Sequence, residues 1–360
     1  MSNDKIRVGM IGVGGWARYG HIPALQSLDE FRLIAVASRT QASAKKSAAE
    51  FDMAHAFDDE LALINHPDVD LVVILAPAPE HARLAKAAIG AGKDVYSEWP
   101  LTTNTADSEE LLALAEARGV RHIVGLQRRF GPSVRYTRDI IKQGYVGKVR
   151  SARMSVSTDA FGPTMPGMYS WSFDVANFSH PVSVYTAHFG DMLFQSVGYP
   201  AKLTAIVQNQ FPFVTIEETG EQVPTTRPDA AMIIGTLESG ALFSIQVEGG
   251  QSHRTGIHID ITGTEGVLQV TNALAFQNKE DNLIQGMHGE ESSLSPISVP
   301  AKYRSLALSL DASALDLAYL YAAYARDRKE GTSEASNFKD AVQQHQLIDR
   351  VFQTSEAVFG

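Results

Sequence analysis

Near the amino end, Gly12-Val13-Gly14-Gly15-Trp16-Ala17 has the residue types and spacing of a turn that can hold a pyrophosphate. It follows Ile6-Arg7-Val8-Gly9-Met10-Ile11, which reads as a strand, and a short helix is expected to open behind it. Gly12 permits a tight turn, and Gly14 lets backbone N–H groups approach the anion. Gly15 and Trp16 continue the cradle, and the small Ala17 lets helix and strand pack closely. At the end of the second strand a site for NAD wants an acid for the ribose 2′-OH, but this chain has Ser38-Arg39-Thr40. Arg39 can pair with a 2′-phosphate while Ser38 and Thr40 donate to it, which points to NADP, with NAD as the alternative if Arg39 only stacks on adenine.

The bulk properties exclude several other functions. The chain has 360 residues, long enough for two domains, with 44% hydrophobic and 20% charged residues. A net charge of -10 disfavours nucleic acid or an acidic membrane as partner. Without any cysteine there is no disulfide scaffold, thiol nucleophile or thiolate metal site. The sequence holds no run of 18 apolar residues, and Met1–Lys5 leads straight into a strand, so neither a membrane span nor a signal peptide is expected and a cytoplasmic protein is the default. Metal-binding helices, a nucleophile elbow and a Walker loop are missing, and no metal is expected.

The elements that must position the turn alternate. Strand-like runs at 7–11, 33–38, 69–75, 94–96 and 122–126 are separated by helical stretches at about 16–28, 40–50, 58–65, 79–91 and 104–118. Several strands are apolar without alternation, as strands buried on both faces are, so a doubly wound parallel sheet is expected. After a helix at about 132–143 the period changes. Longer, partly alternating strands at 149–157, 202–210, 230–237, 241–247 and 256–262, with a helix at about 182–195, predict an α+β domain with a mixed, mostly antiparallel open sheet. Residues 272–304 read as a long polar loop, or as short strands that cannot be resolved. Helices return at about 312–328 and 337–354. The division is a Rossmann domain over 1–127 and a substrate and oligomerisation domain over 128–360, with the last helices packing back on the first domain as the alternative.

Several strings then agree with one family. They are His21-Ile22-Pro23-Ala24, Ala78-Pro79-Glu80-His81, Glu98-Trp99-Pro100-Leu101, Gln127-Arg128-Arg129-Phe130 and Gly263-Thr264-Glu265-Gly266. In that order the chain resembles the Gfo/Idh/MocA oxidoreductases, and within them the Gal80-like branch, which shares Glu-Trp after the fourth strand. The resemblance implies NAD(P)-linked hydride transfer on a sugar, polyol or derivative. It also implies a homodimer or homotetramer formed through the second domain's sheet.

Family members carry Glu-Lys-Pro where this chain has Glu98-Trp99-Pro100, an Asp four residues before a second-domain His, and an acid three after it. By resemblance the histidine is His188 and the later acid Asp191, while Trp99 replaces the lysine and Val184 the earlier acid. An imidazole suits exchange of a hydroxyl proton, Asp191 could sit one helical turn away on the same face, and Tyr185 is a substitute donor. The competing readings are a hydrogen-bonded histidine on a packed helix, a capping or surface acid, and aromatic packing for Tyr185 and Tyr169. Tyr169, Asp174, Asn177 and His180 are candidates for substrate hydroxyls, or surface turn residues. Arg128 is assigned to the cofactor and Arg129 to the substrate, with a structural ion pair as the alternative. Ala76, Pro77 and His81 line the cofactor site or only shape its turn. Glu98 orders the ribose or its loop. Trp99 precedes a peptide bond expected to be cis, and its indole either stacks on a sugar or fills the lysine's space. With Lys and Asp gone, the competing function is a catalytically silent Gal80-like regulatory protein that responds to dinucleotide or sugar.

Overall fold

The structure is a computed structural model that describes residues 5–306 and 308–359. The chain divides into two compact units: one runs up to Gln127 and takes in Ala314–His345, and the other comprises Arg128–Ser313 and the chain from Gln346.

In the first unit, six strands form one parallel sheet: β1 (Ile6–Ile11), β2 (Phe31–Ala37), β3 (His55–Phe57), β4 (Leu71–Ile74), β5 (Asp94–Ser97) and β6 (His122–Val124). Their order, β3-β2-β1-β4-β5-β6, is that of a dinucleotide-binding sheet, with the reversal of winding beside β1. Val8, Met10, Val72 and Val73 are fully buried, which explains why these strands are apolar on both faces. The edge strand β3 was not read from the sequence, because three half-buried residues carry no periodic signal.

The connecting helices are α1 (Ile22–Gln26), α2 (Gln41–Glu50), α3 (Glu60–Ile64), α4 (His81–Gly90) and α5 (Thr105–Arg118). The side chains of Thr40, Asp59 and Asn104 cap α2, α3 and α5 by accepting from backbone N–H groups, and Gly119 ends α5 in the left-handed region at φ 64°.

The second unit begins with α6 (Pro132–Lys142) and is built on an eight-stranded sheet. Its strands are β7 (Val149–Ser157), β9 (Pro200–Gln208), β12 (Ala230–Leu237), β13 (Leu242–Glu248), β14 (Gly256–Gly263), β15 (Gly266–Asn272), β16 (Leu283–His288) and β17 (Ser295–Pro296). The order is β17-β16-β15-β14-β7-β13-β12-β9, antiparallel except where β7 pairs with β13. The stretch 272–304 therefore does contain two strands. A small sheet of β8 (Thr164–Met165), β10 (Phe213–Ile216) and β11 (Gln222–Pro224) was not foreseen; Phe173, Val214 and Ile216 form its core.

One face of the large sheet is covered by α6, α7 (Pro181–Tyr185) and α8 (Asp191–Val197), which bury Tyr185, Phe189, Leu193 and Phe194 against Ile233, Ile245 and Ile259. On the other face Ile206, Met232, Ile234 and Leu242 remain exposed. The mixed, mostly antiparallel sheet after a parallel one is the architecture expected from the sequence. Two long helices, α9 (Ala312–Glu330) and α10 (Phe338–Phe359), end the chain. No helix among the described residues is long and apolar enough to cross a membrane.

Candidate functional site

The glycine turn leaves β1 with Gly12 at φ +89°, where a Cβ would stand 3.0 Å from the Leu75 carbonyl oxygen. A Cβ on Gly14 or Gly15 would meet nothing within 4 Å. Gly12 is thus demanded by the fold, whereas Gly14 and Gly15 border open space of the kind a pyrophosphate needs. Behind them the chain makes a π-helical turn, Ala17–His21, before α1. Ala17 is buried, as close packing requires. At the end of β2, Arg39 and Thr40 are exposed; the Thr40 oxygen already accepts the Ser43 N–H at 3.2 Å but keeps its own proton to donate. These residues fit a dinucleotide.

Glu98, 16% exposed, is the hub of this unit. Its Oε1 faces His21 Nε2 at 2.7 Å and accepts from Tyr96 Oη at 2.9 Å and Trp16 Nε1 at 3.3 Å. His21 Nδ1 lies 2.8 Å from the Tyr321 hydroxyl. Burial, followed by the Glu98 charge, holds the Tyr96 and Tyr321 hydroxyls well above the usual phenol range. Sequence reading assigned no role to His21, although the His21-Ile22-Pro23-Ala24 string marked it. Trp99 is 6% exposed with its ring 4.7 Å from that of His345, and the Trp99–Pro100 bond is cis as expected. The indole fills buried space rather than offering an open face to a sugar. His81 is also buried: Nδ1 lies 2.7 Å from the Pro100 carbonyl and Nε2 2.7 Å from that of Ala76. It pins the loops after β4 and β5, and burial lowers its pKa despite the two carbonyls. Of the residues after β4, then, His81 shapes the Ala76-Pro77 turn.

In the second unit α7 and α8 are joined by another π-helical turn, Thr186–Gly190, which carries His188. His188 is 5% exposed, with its ring edge-on to Phe276 at 5.7 Å. Asp191 opens α8 fully buried and is gripped by Arg129, whose Nε donates to Oδ2 at 2.7 Å while Nη2 pairs with Oδ1. The structural ion pair, given above as the alternative for Arg129, is the arrangement present, and the same contact occupies Asp191. Arg128 is likewise redirected. Its guanidinium lies over Phe189 and Phe276, at 5.6 and 5.5 Å, and donates to the Ala275 carbonyl, so it braces this unit instead of presenting itself to a phosphate.

Tyr185 is fully buried, its hydroxyl bonded to Thr158 and pushed up in pKa by burial, which suits packing and not proton exchange. His180 caps α7, Nδ1 accepting the Ser183 N–H at 3.2 Å in a reciprocal capping box, and burial with Arg227 nearby pushes its pKa down to about 3. It is a neutral structural histidine. Asp174 Oδ1 accepts the Ala176 N–H at 2.9 Å, and Asn177 Nδ2 donates to the Trp171 carbonyl at 2.5 Å. Both organise the short helical turns at 167–177, where Tyr169 is exposed.

Arg227, which the sequence gave no reason to notice, holds the same segment. Its buried guanidinium is stacked between Phe161 and Phe173 and donates to Gly162 O at 3.2 Å and Ser172 Oγ at 3.4 Å; burial lowers its pKa to about 10. Val184 packs against the core of this unit and supplies no carboxylate beside His188.

Comparison with known proteins agrees with this architecture. Residues 6–126 match the oxidoreductase family with an NAD-binding Rossmann fold, Gfo/Idh/MocA, and residues 132–272 match the Gal80p C-terminal domain. The chain is 27% identical to the galactose/lactose metabolism regulatory protein GAL80 of Kluyveromyces lactis over 76% of its own length and 65% of that protein's. It is 30% identical to the dehydrogenase aclE of Aspergillus oryzae over 62% of its length and 63% of that protein's. These alignments thus span just under two thirds of both relatives. Among solved structures, a Gal80p super-repressor mutant from Saccharomyces cerevisiae superposes with a TM-score of 0.87 at 21% identity, covering 98% of this chain and 96% of that one. A levoglucosan dehydrogenase in complex with NADH and levoglucosan gives 0.86 at 21% identity, covering 98% and 97%. At that identity the superpositions establish the fold alone. The chain is a member of the Gfo/Idh/MocA-fold oxidoreductase family, with its homology running to the Gal80-like branch.

Proposed function

We propose that this protein is an NAD(P)-dependent oxidoreductase acting on a sugar, polyol or sugar derivative, with His188 exchanging the hydroxyl proton. The observation that supports it most is the setting of His188: a histidine kept in a π-helical turn, a local insertion that concentrates at functional sites. Gly14 and Gly15 would admit the pyrophosphate, and Ser38, Arg39 and Thr40 would hold the 2′-phosphate of NADP, with NAD as the alternative. When bound, the nicotinamide supplies the hydride acceptor or donor. In oxidation the carbinol C–H bond gives up its electron pair as hydride, and the O–H proton passes to His188. Glu98, by gathering Trp16, His21 and Tyr96, fixes the wall beside the glycine turn. The substrate class is carried over from the levoglucosan dehydrogenase of similar fold, and the segment 167–177 with Tyr169, Asp174 and Asn177 is its candidate contact surface.

A second reading, a silent dinucleotide- or sugar-responsive regulator, is favoured by Trp99 and Val184 in place of Lys and Asp, and by the commitment of Asp191 to Arg129. The purified chain with NADP+ or NAD+ and a panel of aldoses, polyols and anhydro sugars separates the two through the absorbance of the reduced nicotinamide. Turnover that falls about 10²-fold or more in His188→Ala supports the enzyme. Tight cofactor binding with no turnover across the panel moves the reading to the regulator. Self-association belongs to either reading, since Ile206, Met232, Ile234 and Leu242 leave an apolar stripe on the open face of the large sheet. Sedimentation at micromolar concentration should show a dimer or tetramer, and a monomer there would contradict it.

A further inference from the structure

We propose that His55, His66 and Asp68 form a site for a single borderline divalent cation of the Zn2+ class, beside the edge strand β3 of the parallel sheet. His55 begins β3, and His66 and Asp68 lie in the turn before β4, next to Arg7 at the start of β1. In a parallel sheet all strands start on one side, and the glycine turn follows the end of β1. Asp68, bonded to Arg7 near the start of β1, thus lies away from that turn, whereas His55 is level with Ala35 in β2 and Gly9 in β1 and its ring approaches Asp68 from mid-sheet.

Three features make this a ligand set and not a chance cluster. One nitrogen of each imidazole and one Asp68 oxygen lie within 4.8 Å of one another, and the two rings are 4.1 Å apart. His55 Nε2 stands 3.5 Å from Asp68 Oδ2, too far for a normal hydrogen bond. With metal–ligand bonds of about 2.0–2.1 Å, two ligands of a tetrahedral site are about 3.3 Å apart, so this spacing is close to an edge of that tetrahedron. Finally, two hydrogen bonds bear on the ligand atoms of His66 and Asp68. His66 Nδ1 accepts the Asp68 backbone N–H at 3.2 Å and is therefore unprotonated, so its lone pair can serve a metal in place of this contact while Nε2 carries the proton. Asp68 Oδ1 accepts from Arg7 Nη1 at 2.9 Å, leaving Oδ2. The Arg7 contact orients the Asp68 carboxylate as supporting contacts do at metal sites.

The charge is suitable as well. Arg7 is itself neutralised by Asp70, which accepts from its Nε and Nη2 at 2.9 Å each. Arg7, Asp68 and Asp70 together leave one negative charge, and two neutral imidazoles complete a set that prefers Zn2+ or Co2+ over Ca2+ or Mg2+. The partly exposed positions leave the fourth place to water or an external ligand.

The test is titration of the full chain with Co2+ and Zn2+. We expect one Co2+ per chain with the visible absorbance of a tetrahedral site, displaced by Zn2+. His66→Ala and His55→Ala should each weaken binding roughly tenfold or more. His253→Ala, at another exposed histidine, should leave it unchanged, as should saturation with NADP+. No stoichiometric Co2+ spectrum, or binding equally strong in the His55→Ala/His66→Ala double variant, would overturn the assignment. Circular dichroism of each variant shows that the fold is retained, so that a loss of binding reports the site.

Discussion

Replacing Arg129 by Met leaves the Asp191 carboxylate inside the second unit without its bidentate partner. Asp191 is fully buried and Arg129 is 12% exposed, so the pair is an interior ion pair and not a surface one. The Coulomb attraction offsets the desolvation of both groups only while both are present. Removing one partner of such a pair costs about 3–5 kcal/mol. In a unit of about 200 residues each kcal/mol shifts the melting temperature by roughly 2–4 °C, which gives a fall of about 6–20 °C for Arg129→Met. Scanning calorimetry resolves this, as the two units need not unfold together. The double replacement Arg129→Met with Asp191→Leu removes both charges and should recover most of the loss, because apolar side chains of similar volume restore packing with nothing left to solvate. A fall below 3 °C in the single variant, or a double variant no better than the single one, would refute the claim that the pair is a buried unit.

Gly14→Val should weaken dinucleotide binding by tenfold or more while changing the melting temperature by less than about 2 °C, since its Cβ meets no protein atom; equilibrium dialysis and calorimetry measure the two effects. His180 concerns pH. Its folded pKa of about 3 lies below the unfolded value of about 6.5, so the unfolded chain binds more protons between these values. Its contribution to stability is fully present above pH 6.5 and is lost as pH falls through that window, at most about 2 kcal/mol by pH 5. Asn is also a good N-cap, so His180→Asn should keep α7 and reduce the loss between pH 7 and pH 5 by up to that amount in denaturant unfolding. Identical pH slopes in the two proteins would exclude this role.

The glycine turn was legible because its demands are local: a positive φ at Gly12 and open space at Gly14 can be read from six residues. Both sheets followed from the change of hydrophobic period near Gly147. What escaped notice depends on partners distant in sequence. β8 is two residues long and exists only because it pairs with Thr215 and Ile216. Glu98 was visible as part of a string, but its role as a hub comes from donors 77 and 82 residues away. Arg227 could not be found, because an arginine is ordinarily exposed and nothing in its neighbours announces two phenylalanine rings from elsewhere.

The π-helical turns have a larger consequence, since an extra residue in a turn rotates everything after it by about 100° relative to an unbroken α-helix. From spacing alone Asp191 belongs on the face of His188. Because Thr186–Gly190 is a π turn, that face is broken and the carboxylate meets Arg129. Asp191 is the first residue of α8, so the ion pair fixes where α8 begins and, through it, the turn that bears His188. The first unit repeats the device: Ala17–His21 is a π turn, and Glu98 binds its histidine directly. In the first unit a carboxylate meets the π-turn histidine itself, and in the second the carboxylate just after the π turn is held by Arg129. A carboxylate so engaged is poorly suited to accept a substrate proton, which is why the function proposed above gives that proton to His188 and not to Asp191.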